Sequence, residues 1–143
     1  MPVSAGARHL RFRHALVRDA AYDSQLLSER PARHLAIAEE LAGGAVDDAA
    51  AIAFHFDWGG DADRAIDWYL RAAVDARTRG EYAEARVRLD RAKVLLDSVE
   101  ISSRNVHELR VRTELGITAS STSGWAAPEV VDEFSRCVER CRD

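Results

Sequence analysis

Lysine is almost missing from this sequence: Lys93 stands alone among 20 basic residues. We read the arginine bias as the mark of a GC-rich genome rather than a binding device. Aromatic residues are scarce at 7%, so alanine must fill much of any core. Alanine is the best helix former and lets helices approach closely. No apolar run nears the roughly 18 residues that a membrane-spanning helix needs. The N-terminal stretch has no uninterrupted apolar stretch of the kind a secretory signal requires. A cytoplasmic location is the expectation. The two cysteines, Cys137 and Cys141, fall one turn apart on an expected helix. Side chains so placed seldom reach disulfide geometry, which suits a reducing compartment.

Chemical motifs are missing as well. No glycine-rich segment carries the lysine of a GxxxxGK[ST] phosphate loop. His9, His14, His34, His55 and His107 form no HExxH motif and join no CxxC pair, so no metal site is expected. There is no GxSxG elbow to support a nucleophilic serine. Neither catalysis nor a cofactor is expected. The net charge is −4, which leaves no electrostatic footprint for nucleic acid. Arg8, Arg11, Arg13, Arg18, Arg30 and Arg33 enrich the N-terminal quarter, but Asp19, Asp23, Glu29, Glu39 and Glu40 nearly cancel them.

What is present is helix. Apolar residues make up 47% of the 143 positions, enough for a sizeable core. Residues 8–13 read as a strand or extended lead-in. A first helix is expected from His14 to about Ser28. Pro31 can open a second at its first turn, marked by Leu35, Ala38, Leu41 and Ala42 and stopped by Gly43-Gly44. Asp47 or Asp48 can cap a third, which runs to Trp58 and is apolar on nearly every side. Such a helix is expected to be buried between others. Gly59-Gly60 ends it and Asp61 caps a fourth, 62–78, which Gly80 stops. A fifth spans 82–97. Residues 98–104 read as a turn. A sixth, 105–118, presents Val106, Leu109, Thr113 and Ile117. Residues 119–124 read as a flexible loop. Pro128 opens the last helix, striped by Val130, Phe134, Cys137, Val138 and Cys141, with both cysteines expected as buried small apolar groups. No segment sustains period-two alternation, so the fold class is all-α.

One pattern repeats. Gly60 leads to Ala65, Tyr69 and Ala72. Gly80 leads to Ala85, Leu89 and Ala92. Gly124 leads to Val130, Phe134 and Cys137 after one extra residue. Small, large and small residues at i, i+4 and i+7 share a helical face, and the glycine turns the chain back. The pattern resembles the second helix of a TPR unit, with Ile52, Ala53 and Phe56 at first-helix positions. Successive matches lie 20 and 45 residues apart, not the family's regular spacing of about 34, and the closing proline is missing. The expected architecture is a short, TPR-like antiparallel helical-repeat stack, an α-solenoid of about seven helices.

The order of segments resembles a particular protein region. The blocks are Phe12–Tyr22, then Arg30 with Arg33-His34-Leu35 and Ile37-Ala38. Ala53–Phe56 follows with Gly60-Asp61 and Arg64–Ile66, and last comes Gly124–Val130. Together they look like the segment after the ATPase core of bacterial STAND-type regulators. That group includes LuxR-type transcriptional regulators and class III adenylate/guanylate cyclases with a fused ATPase. The resemblance implies a junction over residues 1–45, the end of a winged-helix region plus a linking helix, and TPR-like repeats over 46–143. It implies a non-catalytic scaffold or relay in signal transduction. The partner would be a flanking ATPase or effector domain, or a peptide along a concave face. Two other readings are open: part of a DNA-binding transcriptional regulator, and a fragment of a nucleotide-binding cyclase or ATPase. Candidate partner or junction contacts are Phe12, His14, Tyr22, His34, His55, Trp58 and Trp68. Tryptophan is enriched at binding hot spots.

Overall fold

A computed structural model describes residues 14–23, 26–44 and 48–142. The expected lead-in over 8–13 lies outside them. The described residues contain seven α-helices and no strand. The chain divides into two compact units, Met1–Arg30 and Pro31–Asp143.

The first unit holds α1 (Ala15–Asp23), then a single 3-10 turn, Leu27–Glu29. The helix expected to reach Ser28 therefore stops at Asp23. The Arg30 guanidinium lies over the Tyr22 ring, 4.4 Å from its centre. Its Nη2 donates to the Asp23 carbonyl at 3.5 Å. Leu16 and Val17 are exposed.

The second unit is built from α2 (Arg30–Gly43, from Pro31 on), α3 (Ala49–Trp58), α4 (Ala62–Thr78), α5 (Tyr82–Leu95), α6 (Ile101–Ser123) and α7 (Pro128–Arg140). The starts and stops follow local chemistry. Asp48 and Asp61 accept the backbone N–H of Ala51 and Arg64, each at 3.0 Å, as side-chain caps do. Gly60 and Gly80 adopt φ of +82° and +79°. Each closes a paired C-terminal turn: Asp61 N–H bonds Phe56 C=O while Gly60 N–H bonds Asp57 C=O, and Glu81 and Gly80 repeat this with Ala76 and Arg77. Such reversals need a left-handed residue, which glycine supplies without a Cβ clash.

These short reversals lay α3 against α4 and α4 against α5. α6 packs on both α4 and α5, and α7 packs on α6. Alanine does the close work: Ala53, Ala65, Ala73, Ala76, Ala85 and Ala92 are all buried. Between them sit Ile52, Phe56, Ile66, Leu89, Val111 and Leu115, each essentially sealed from solvent. Burying one such large side chain is worth about 1.5–3 kcal/mol. Ala38 of α2 joins the same core.

The structure revises several sequence expectations. The turn expected over 98–104 is mostly helix. After the 3-10 turn Leu96–Ser98, only Val99 and Glu100 are extended, and α6 begins at Ile101. No glycine or proline lies there to break it. The loop expected over 119–124 is also helical as far as Ser123. Its hydroxyls turn back on their own helix: Ser120 and Ser121 donate to Ile117 C=O at 2.8 and 3.1 Å, and Thr122 donates to Ala119 C=O at 3.0 Å. The chain leaves the helix at Gly124, φ +81°.

The buried face of α6 also differs. His107, Val111, Leu115 and Thr118 are buried, Leu109, Thr113 and Ile117 are half-buried, and Val106 is exposed. α6 is covered on two sides, so one stripe could not predict its burial. α7 approaches at Gly116, where a Cβ would stand 2.8 Å from the Phe134 ring. Cys137 is half-buried but Cys141 is exposed, contrary to the expectation for both. No helix among the described residues is long and apolar enough to cross a membrane.

Candidate functional site

Helix α3 has two apolar faces and only one is covered. Ile52, Ala53 and Phe56 point into the core. Phe54, His55 and Trp58 share the opposite side of the helix, by the 3.6-residue period. Phe54 is 42% and Trp58 56% exposed. The helix expected to be buried all round thus carries an open aromatic surface.

His34 of α2 completes it. The His34 and His55 Nδ1 atoms are 2.9 Å apart, a hydrogen bond in which one ring donates and the other accepts. The His34 ring also lies 5.9 Å from both the Phe54 and Trp58 rings, and Phe54 lies 5.6 Å from Trp58. His34 is buried and His55 half-buried. Burial pushes both imidazoles below their usual range, and the charge of His34 lowers His55 further. Both rings are accordingly held toward the neutral form. Leu35 seats this part of α2: a Cβ on Gly59 would come within 2.6 Å of its side chain. Glu39 adds an ion pair to Arg64 of α4 at 3.3 Å.

Three of the sequence candidates, His34, His55 and Trp58, are therefore neighbours. Trp68 is elsewhere, half-buried against the core of α4 with the Arg71 guanidinium 5.0 Å from its ring centre. His14 and Tyr22 belong to the first unit, His14 exposed and Tyr22 half-buried. Phe12 lies outside the described residues. Phe54 was missed as a site residue because apolar residues on α3 were all assigned to the core. Its i, i+4 relation to Trp58, opposite Ile52 and Phe56, was the available signal.

The surface combines flat rings, apolar edges and two polar tips. Among the described residues no three histidine, cysteine or acidic side chains are placed to hold a metal ion. Elsewhere, an open groove of about 500 Å³ runs between α4 and α6. Leu70, Val74 and Leu109 form its apolar floor, and Asp67, Arg71, Asp75, Arg110 and Glu114 ring it with both signs of charge. Compared with protein-family models, with curated proteins and with solved structures, the chain matches none.

Proposed function

We propose that this chain is a non-catalytic, TPR-like scaffold that docks a protein partner on the α2–α3 aromatic surface. The single observation that carries the reading is the exposure of Phe54 and Trp58 on a helix whose other face is fully used by the core. Exposed aromatic anchors set on a rigid helix are what binding hot spots are made of. Adjacent apolar rings in water are otherwise a cost.

The TPR-like part of the reading has its own support. Ile52, Ala53 and Phe56 of α3 and Ala65, Tyr69 and Ala72 of α4 are all buried. So are Ala85, Leu89 and Ala92 of α5. The short repeat interval makes sense if α4 serves twice, as second helix of one hairpin and first of the next, since α4 packs against both α3 and α5. By the resemblance in segment order, the partner is the ATPase or effector module of a bacterial STAND-type regulator.

The test compares partner retention by the intact chain and by Phe54→Ser/Trp58→Ser. A retained protein must be identified, purified and titrated against both. A loss of at least about tenfold in affinity, or about 1.4 kcal/mol, is expected. Equal binding by both chains, or a monodisperse chain that retains no protein, would refute the reading.

A further inference from the structure

The hydrogen bond between His34 and His55 joins two helices through two groups that both titrate near neutrality. It survives in the neutral pair, where one Nδ1–H donates to the other Nδ1. It also survives one added proton, because a single acceptor nitrogen remains. A second proton turns both Nδ1 atoms into donors and places two cations with ring centres 5.0 Å apart. The bond cannot exist in that state, and the contact becomes repulsive.

We propose that this imidazole pair is a proton-operated latch, holding the first turns of α2 on α3 at neutral pH and releasing them on acidification. Release uncovers the faces of Phe54 and Trp58 that His34 now touches. Its regulatory meaning rests on the docking reading above; the opening itself does not.

The surroundings favour this response. Three nearby acids among the described residues are engaged elsewhere. Asp57 of α3 is bound by Tyr69 and Arg91, while Asp61 and Glu39 are bound by Arg64. The charge acting on His55 is that of His34, and it opposes protonation. The Phe54 and Trp58 rings also lie against His34. Farther along α2, Ala38 is sealed in the core and Glu39 pairs with Arg64. The helix beyond Ala38 therefore stays anchored.

The sign follows from the lowered values. A histidine that is less basic folded than unfolded stabilises the fold above its usual 6.5 and loses that contribution as pH falls through its folded value. The latch opens on the acidic side of 6.5 and not above it.

Amide hydrogen exchange on the intact chain reads the latch directly, with protection corrected for the intrinsic rate, between about pH 8 and about pH 5. Protection in the first turns of α2 is expected to fall while that of α4 and α5 holds. The fall amounts to about tenfold for each unit by which the pair's pKa is lowered. His55→Asn and, independently, His34→Gln should each leave α2 protection flat over that range. Parallel loss in α2, α4 and α5, or the same acid response in both variants, would overturn the latch. The docking reading is decided separately, by partner retention at neutral pH with Phe54→Ser/Trp58→Ser.

Discussion

Arg91 grips Asp57 with both arms of its guanidinium: Nε and Nη2 donate to the two carboxylate oxygens at 2.6 and 2.7 Å. The pair lies 34 residues apart in sequence and ties α5 to the end of α3. The Asp57 side chain is only 6% exposed, and its Oδ2 also accepts the Tyr69 hydroxyl at 3.0 Å. One carboxylate thus fastens three consecutive helices, α3, α4 and α5.

Asp57→Ala removes all of these bonds and strands the Tyr69 hydroxyl. Breaking a fully buried pair costs about 3–5 kcal/mol. The Arg91 side chain is 46% exposed, so water softens the loss, and about 2–4 kcal/mol is expected. Urea unfolding checks this: the midpoint should drop at unchanged slope. A loss indistinguishable from that of an exposed pair such as Arg86–Asp90 would contradict the three-helix role.

Tyr69 should titrate late. Burial, then the charge of Asp57 and the bond to it, push its hydroxyl up to about 12. Alkaline absorbance should show a phenol ionising well above the ordinary 10.0, and Tyr69→Phe should delete that late step. A raised acid contributes its stability below the unfolded value and loses it as pH climbs through the folded one. The fold should therefore weaken between 10.0 and about 12, less so in Tyr69→Phe.

The C-terminal helix is held by charge as well as by packing. Glu108 accepts Arg112 and Arg140 at 2.8 and 2.6 Å, and Glu133 accepts Arg112 and Lys93 at 2.9 and 3.0 Å. Burial pushes the Glu108 carboxyl up, but its two arginines outweigh that and hold it below 4.5. A depressed carboxylate contributes stability above its unfolded value and loses it as pH falls through the folded one. Protection of α7 amides, corrected for the intrinsic exchange rate, should fall below 4.5. In Glu108→Gln that acid response should shrink, at a cost of about 2 kcal/mol near neutrality. An unchanged acid response in Glu108→Gln would show that α7 is held by packing alone.

Much of the helical order was legible. The caps Asp48 and Asp61 and the stops Gly60 and Gly80 stand where the local pattern puts them. The errors fell on polar stretches. Residues 119–124 carry the composition of a loop, yet their hydroxyls satisfy their own helix. Serine and threonine favour either outcome, and the neighbouring packing chooses. At the candidate site, His34, His55 and Trp58 were named separately, but nothing in the sequence joined them.

The caps at Asp48 and Asp61, the reversals at Gly60 and Gly80 and the all-α class were determined by the sequence itself, because capping bonds and left-handed φ values are decided within a few residues. Which apolar face would be used was decided only by tertiary structure. Phe56 and Phe54 are alike in type and two positions apart, yet one is sealed and the other open. The difference lies in α4, which covers one side of α3. The His34–His55 contact is likewise tertiary: the two residues are 21 apart in sequence, and only the packing of two helices sets one ring nitrogen against the other.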